Sequence, residues 1–144
     1  MKIAPAYLQL GDFPDGLAVL DLVIQENAGD KNALILRCWA RAASKQLLDQ
    51  AIHDCNSALE IGTPYASAFD ARGLVYYRMG NTAAAIADFD SALQINPHLF
   101  TSLYVRGLTK LKAGDAVGGN ADIAAAKAVD PQIADQYAGF DIKP

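Results

Sequence analysis

The sequence contains no long apolar run. Its longest, LAVLDLVI at 17–24, is interrupted by Asp21 and is far shorter than the ~20 residues a membrane-spanning helix needs, so membrane insertion is not expected. There is no surplus of positive charge either. Twelve Lys and Arg stand against 16 Asp and Glu, a formal net charge of -4, which denies the chain the basic field that attracts nucleic acid or an anionic lipid surface. The N-terminal MKIAPAYLQLGDF lacks the apolar core and small-residue cleavage site of a secretory signal. A cytoplasmic location is therefore expected, with the periplasm as the alternative if a signal precedes residue 1. Histidine is scarce: His53 and His98 have no HExxH or Cys-His cluster around them, so they are expected to be solvated or satisfied rather than catalytic or metal-binding. No phosphate loop is present. Gly118-Gly119 falls inside a helical pattern, where it would permit a close crossing. No enzyme activity and no cofactor are expected.

What remains is a chain of 144 residues, 52% hydrophobic and 19% charged. That length suits one domain able to bury a continuous core, and the abundance of Ala favours closely packed helices. The organisation is repetitive. Arg37, Arg72 and Arg106 recur at steps of 35 and 34, each followed by a small residue (Cys38, Gly73, Gly107). A further small residue recurs at Gly16, Ala51, Ala85 and Gly119, followed by Leu20, Cys55, Phe89 and Ile123 and then by Val23, Ala58, Ala92 and Ala126. Within a unit, Ala85, Phe89 and Ala92 keep the four-and-three spacing of one helix face. Gly80-Asn81 and Gly114-Asp115 break the units internally, and Gly62-Thr63-Pro64, Asn96-Pro97 and Asp130-Pro131 break between them. The pattern predicts helices at 3–10, 13–27, 31–44, 47–60, 65–79, 82–95, 99–113, 116–129 and 132–140.

Phe69, Gly73, Tyr76, Ala85, Phe89 and Pro97 stand at the spacing of the tetratricopeptide (TPR) motif, and on these residues the chain resembles that family, in particular its short bacterial members. The unit after it keeps Leu103, Gly107, Gly119, Ile123, Ala126 and Pro131 but has Lys110 where the aromatic would stand. The unit before it has Leu34, Cys38, Ala51, Cys55, Ala58 and Pro64, with about one extra residue in each turn. The resemblance implies an all-α fold, a right-handed α-solenoid of antiparallel helix pairs, forming a single domain over 1–144. Its parts would be a truncated repeat at 1–30, full repeats at 31–65, 66–99 and 100–133, and a capping helix and tail at 134–144, with Tyr137 and Phe140 covering the final repeat.

The family usually has Leu where Arg37, Arg72 and Arg106 stand. Asp54, Asp88 and Asp122, also 34 apart, lie on the second helix of each unit, 16 or 17 residues after each Arg. In an antiparallel pair the two positions share a height, which predicts the ion pairs Arg37–Asp54, Arg72–Asp88 and Arg106–Asp122. The truncated unit has Ile3 and Val19 at these places. The same resemblance implies that the first helix of each unit lines a concave groove. Here that groove would carry Ile35, Trp39, Asp70, Leu74, Tyr77, Tyr104, Leu108 and Leu111, with Arg78 and Lys112 as a cationic edge. Core packing is the competing reading of the apolar members. Some relatives hold the carboxylate end of chaperones with Lys and Asn on these helices, but none of Ile35, Trp39, Asp70, Leu74, Tyr104 or Leu108 is Lys or Asn, so an apolar or mixed peptide is expected. Cys38 and Cys55 fall on the two helices of one unit. Two buried thiols are the expectation, and a disulfide would instead argue for an oxidising compartment. Together these features point to a scaffold or adaptor binding a partner protein or peptide, with homodimerisation through the incomplete first unit as the alternative.

Overall fold

Short polar side chains start four of the helices by accepting from the first free backbone N–H groups: Asp12 from Asp15, Asp30 from Ala33, Asn81 from Ala84 and Asp115 from Gly118. The computed structural model describes residues 8, 9 and 11–144. Besides Leu8 and Gln9, which are helical, these form α1 (Phe13–Glu26), α2 (Lys31–Ala43), α3 (Leu48–Glu60), α4 (Ala66–Met79), α5 (Thr82–Ile95), α6 (Phe100–Lys112), α7 (Ala116–Val129) and α8 (Ile133–Ala138). No strand occurs among the described residues. Most of the helix expected at 3–10, with Ile3, lies outside them. The other expected helices are present with ends shifted by at most two residues. Gly80 and Gly114 end their helices at φ 77° and 90°, a left-handed conformation that costs a glycine nothing. The corresponding turn after α2 contains no glycine, and its extra residue is accommodated by Lys45 and Leu47 at φ 58° and 49°.

The helices stack as antiparallel pairs, with α2, α4 and α6 on the inner side and α1, α3, α5 and α7 on the outer. Each pair crosses closest at the small residue after the ladder Arg. A Cβ on Gly73 would come within 2.7 Å of the Phe89 ring, and one on Gly107 within 2.7 Å of the Gly119 carbonyl. In the 31–65 unit the same two columns hold Cys38 and Cys55, both fully buried and joined by a disulfide. The expectation of free thiols is thereby corrected: the column that elsewhere sets a glycine against a large side chain here sets two cysteines with Cα atoms 5.7 Å apart, within bonding geometry.

The arginines clip three helices rather than two. Arg72 donates through Nε and Nη2 to Asp88 at 2.8 Å, and through Nη1 to Asn56 of the preceding outer helix at 2.8 Å. Arg37 makes the same fork to Asp54 and reaches back to Asp21 at 2.9 Å. Arg106 forks to Asp122 and reaches back to Asp90 at 2.8 Å. Sequence reasoning missed this backward column, although Asp21, Asn56 and Asp90 recur at the repeat interval. Arg41 and Lys110, one turn after their arginines, add second cations to Asp54 and Asp122 at 2.7 and 2.9 Å, which accounts for Lys110 at the aromatic position. Burial alone would raise the Asp122 pKa, but its bonds to Arg106 and Lys110 outweigh that and hold it below the usual carboxylate value.

The C-terminal segment does more than cover the last repeat. From α7 the chain turns back over the inner helices. Tyr137 packs edge-on to Tyr104, with ring centroids 5.9 Å apart, and Phe140 reaches Trp39 at 5.5 Å and Phe13 at 5.7 Å. Ile133 and Ile142 are fully buried in the central apolar cluster. Arg78 holds the segment in place. Its guanidinium donates to the Ala42 and Ala43 carbonyls at the end of α2 and to the Phe140 and Asp141 carbonyls of the tail, at 2.5–3.1 Å, and Lys45 pairs with Asp141.

Candidate functional site

Of the residues expected to line an open groove, Ile35, Leu74, Tyr77, Tyr104 and Leu108 are buried and Leu111 is half-buried. The cause is the returning C-terminal segment, which occupies much of the inner side and converts those side chains to core. Arg78 is taken up by carbonyls, and its pKa is lowered by burial. Lys112 is exposed, with its ammonium 4.2 Å from the Tyr77 ring centroid. Trp39 and Asp70 have a different environment from the rest of the set.

These two residues line a cleft of about 870 Å³, within the range of ordinary ligand sites. Its walls come from five places. Leu8 and Gly11 contribute from the N-terminal turn, Trp39 from α2, Thr101 from α6, and Tyr137 and Phe140 from the C-terminal segment, with Asp70 of α4 between them. Ser102, fully buried, donates its hydroxyl to Asp70 Oδ1 at 2.6 Å, and Thr101 lines the same recess. Desolvation pushes the Asp70 pKa up to about 6. Tyr137, in the same wall, has its pKa raised well above the usual tyrosine value by burial and by the charge of Asp70. The Ser102–Asp70 pair thus stands at a largely aromatic recess. Ser102, Tyr137 and Phe140 were not legible as site residues from the sequence, because they sit outside the repeating columns that mark the inner face.

The tetratricopeptide repeat family model matches residues 71–99. The whole chain superposes on the crystal structure of TTC0263, a thermophilic TPR protein of Thermus thermophilus, with a TM-score of 0.84 over 97% of this chain and 78% of that one, at 18% identity. The fold is that of TPR proteins. The chain also superposes on MamA, with a TM-score of 0.70 at 18% identity over 99% of this chain and 87% of that one. A third match is YrrB, described as a TPR protein with an unusual peptide-binding site, with a TM-score of 0.64 at 18% identity over 96% and 72% of the two chains. No curated protein sequence matches this chain. No helix among the described residues is long and apolar enough to cross a membrane.

Proposed function

We propose that this protein, which has the fold of TPR proteins, is an interaction module that takes a segment of a partner protein into the cleft beside Trp39 and Asp70. TPR repeats are generally non-catalytic scaffolds, and the role is accordingly one of binding. The observation that carries it is the cleft itself: the C-terminal segment fills most of the inner side yet leaves one recess, walled by rings that offer large contact area at small entropic cost. Of the residues expected to line the groove, Trp39 and Asp70 remain the contact set. Ile35, Leu74, Tyr77, Tyr104 and Leu108 belong to the buried core beside it, Arg78 holds the tail, and Lys112 lies over the Tyr77 ring.

The test uses a displayed random-peptide library selected against the whole chain. Sequences that bind the wild type and lose at least ten-fold in affinity with Trp39→Ala, measured calorimetrically, are the expected result. Binders indifferent to Trp39→Ala would place recognition elsewhere. A second reading, self-association, is favoured by exposed aliphatics on helices near the two ends of the stack, with Leu22 of α1 62% exposed and Val117 of α7 85% exposed. A concentration-independent monomer in sedimentation would exclude it.

A further inference from the structure

Asp70 differs from the buried carboxylates of the outer helices. Asp54, Asp88 and Asp122 each meet an arginine, whereas among the described residues no basic side chain reaches Asp70, which accepts from the Ser102 hydroxyl. It also breaks its own column: at the repeat interval the equivalent inner positions are Ile35 and Tyr104, both apolar in contact and both buried. An acid has been placed where the fold wants an apolar side chain, and it lines a recess in which it is the one charged residue among the described residues of the walls. Desolvation of an unpaired carboxylate disfavours the folded state, so nothing in the packing of the repeats accounts for it.

We propose that the cleft recognises a cationic side chain, Arg or Lys of the partner segment, with Asp70 as its counter-ion and the rings of Trp39, Phe100, Tyr137 and Phe140 around it. The proposal rests on the partner-segment reading and adds the chemistry of the contact. The Ser102 hydroxyl holds Asp70 through Oδ1 and leaves Oδ2 as an acceptor. Trp39 and Phe140, 5.5 Å apart and nearly perpendicular, present ring surface of the kind that attracts a guanidinium or ammonium once water is excluded. The charge of the cleft is the reverse of a clamp that grips an acidic chain end, and an acidic or neutral side chain would leave Asp70 uncompensated. Among the described residues lining the cleft there is no histidine and no second carboxylate: the N-terminal turn presents Leu8 and Gln9, α2 presents Leu36 and Trp39, α6 presents Phe100, Thr101 and Ser102, and the C-terminal segment presents Gln136 and Tyr137, the last with its pKa raised.

Two probes that differ only in charge decide the matter: Nα-acetyl-arginine amide and its uncharged isostere Nα-acetyl-citrulline amide, titrated by NMR into the isotope-labelled whole chain. The arginine amide is expected to shift the Trp39 indole and the Thr101 and Ser102 amides saturably, with the citrulline amide at least ten-fold weaker. Asp70→Asn, nearly isosteric, should bring the arginine amide down to the citrulline level, and the arginine affinity should rise several-fold between pH 5 and pH 7 in the wild type but not in the variant. Equal binding of the two probes, or arginine binding unmoved by Asp70→Asn, would overturn the proposal. Selected peptides that bind at Trp39 but carry no basic residue would overturn it while leaving the partner-segment reading intact. Arginine-amide binding with no cleft-binding peptide at all would support the cation site and remove the segment.

Discussion

Asp70 and Arg72 lie two residues apart on α4, and their electrostatic settings are opposite. The Arg72 guanidinium has an acceptor on each of its three nitrogens, while among the described residues the Asp70 carboxylate is bonded to the neutral hydroxyl of Ser102 and to no cation. An unfolded chain would ionise Asp70 near 3.8, but the folded chain holds the proton to about 6. Across that window the folded state binds more protons than the unfolded one, so Asp70 makes stability fall as pH rises and keeps it lower above the window. Asp70→Asn should therefore be more stable than the wild type at pH 7, by on the order of 1–2 kcal/mol, and about equal to it near pH 4. Thermal melts of both proteins from pH 4 to 7 check this, and identical curves would contradict an unpaired, desolvated acid. For Arg72 the expectation reverses. Its side chain is 23% exposed and that of Asp88 8%, so Arg72→Met should lose roughly 2–3 kcal/mol, between the surface and buried limits, because it strands Asp88. Arg72→Met combined with Asp88→Leu should recover much of that loss in urea titrations.

At the scale of the helix pair, the Arg-Gly dipeptide has two separable roles. Arg binds three helices into register, and Gly lets the inner and outer helices approach until a Cβ would collide. The 31–65 unit keeps the first role and replaces the second with a covalent link between α2 and α3, closing a loop across a sequence separation of 17. A loop of that size stabilises by about 3 kcal/mol in the chain-entropy account. Reductant should lower the denaturation midpoint correspondingly, and a Cys38→Ala, Cys55→Ala double variant should be insensitive to it. Two titratable thiols in the unfolded, unreduced protein would refute the bond.

For the molecule as a whole, the decisive feature is the return of the C-terminal segment across the inner helices. Phe140 joins the last part of the chain to Phe13 and Trp39 near its beginning, a closure that neighbour-to-neighbour stacking does not supply. Phe140→Ala should cost about 2 kcal/mol through lost packing at a half-buried site and shift the Trp39 emission to the red as the indole gains water. An unchanged spectrum would show that Phe140 does not shield Trp39 in solution.

The helices, their pairing and the ladder forks were legible in the sequence because each depends on local rules or on columns that recur at a fixed interval: capping residues, four-and-three apolar spacing, and an Arg followed 16 or 17 residues later by an Asp. The third arm of each Arg was also written at that interval, in Asp21, Asn56 and Asp90, but pairwise reasoning stopped at one acceptor per cation. Burial of the inner face was not legible. The directions in which Leu74 and Tyr104 point follow from the repeat, but whether water or Tyr137 meets them depends on a non-repeating segment whose path is chosen by packing across the whole stack. For the same reason, sequence alone could set Asp70 on the inner face, and only the tertiary structure could leave it without a cation in an aromatic recess, since desolvation is a property of everything that surrounds a group and not of the group itself.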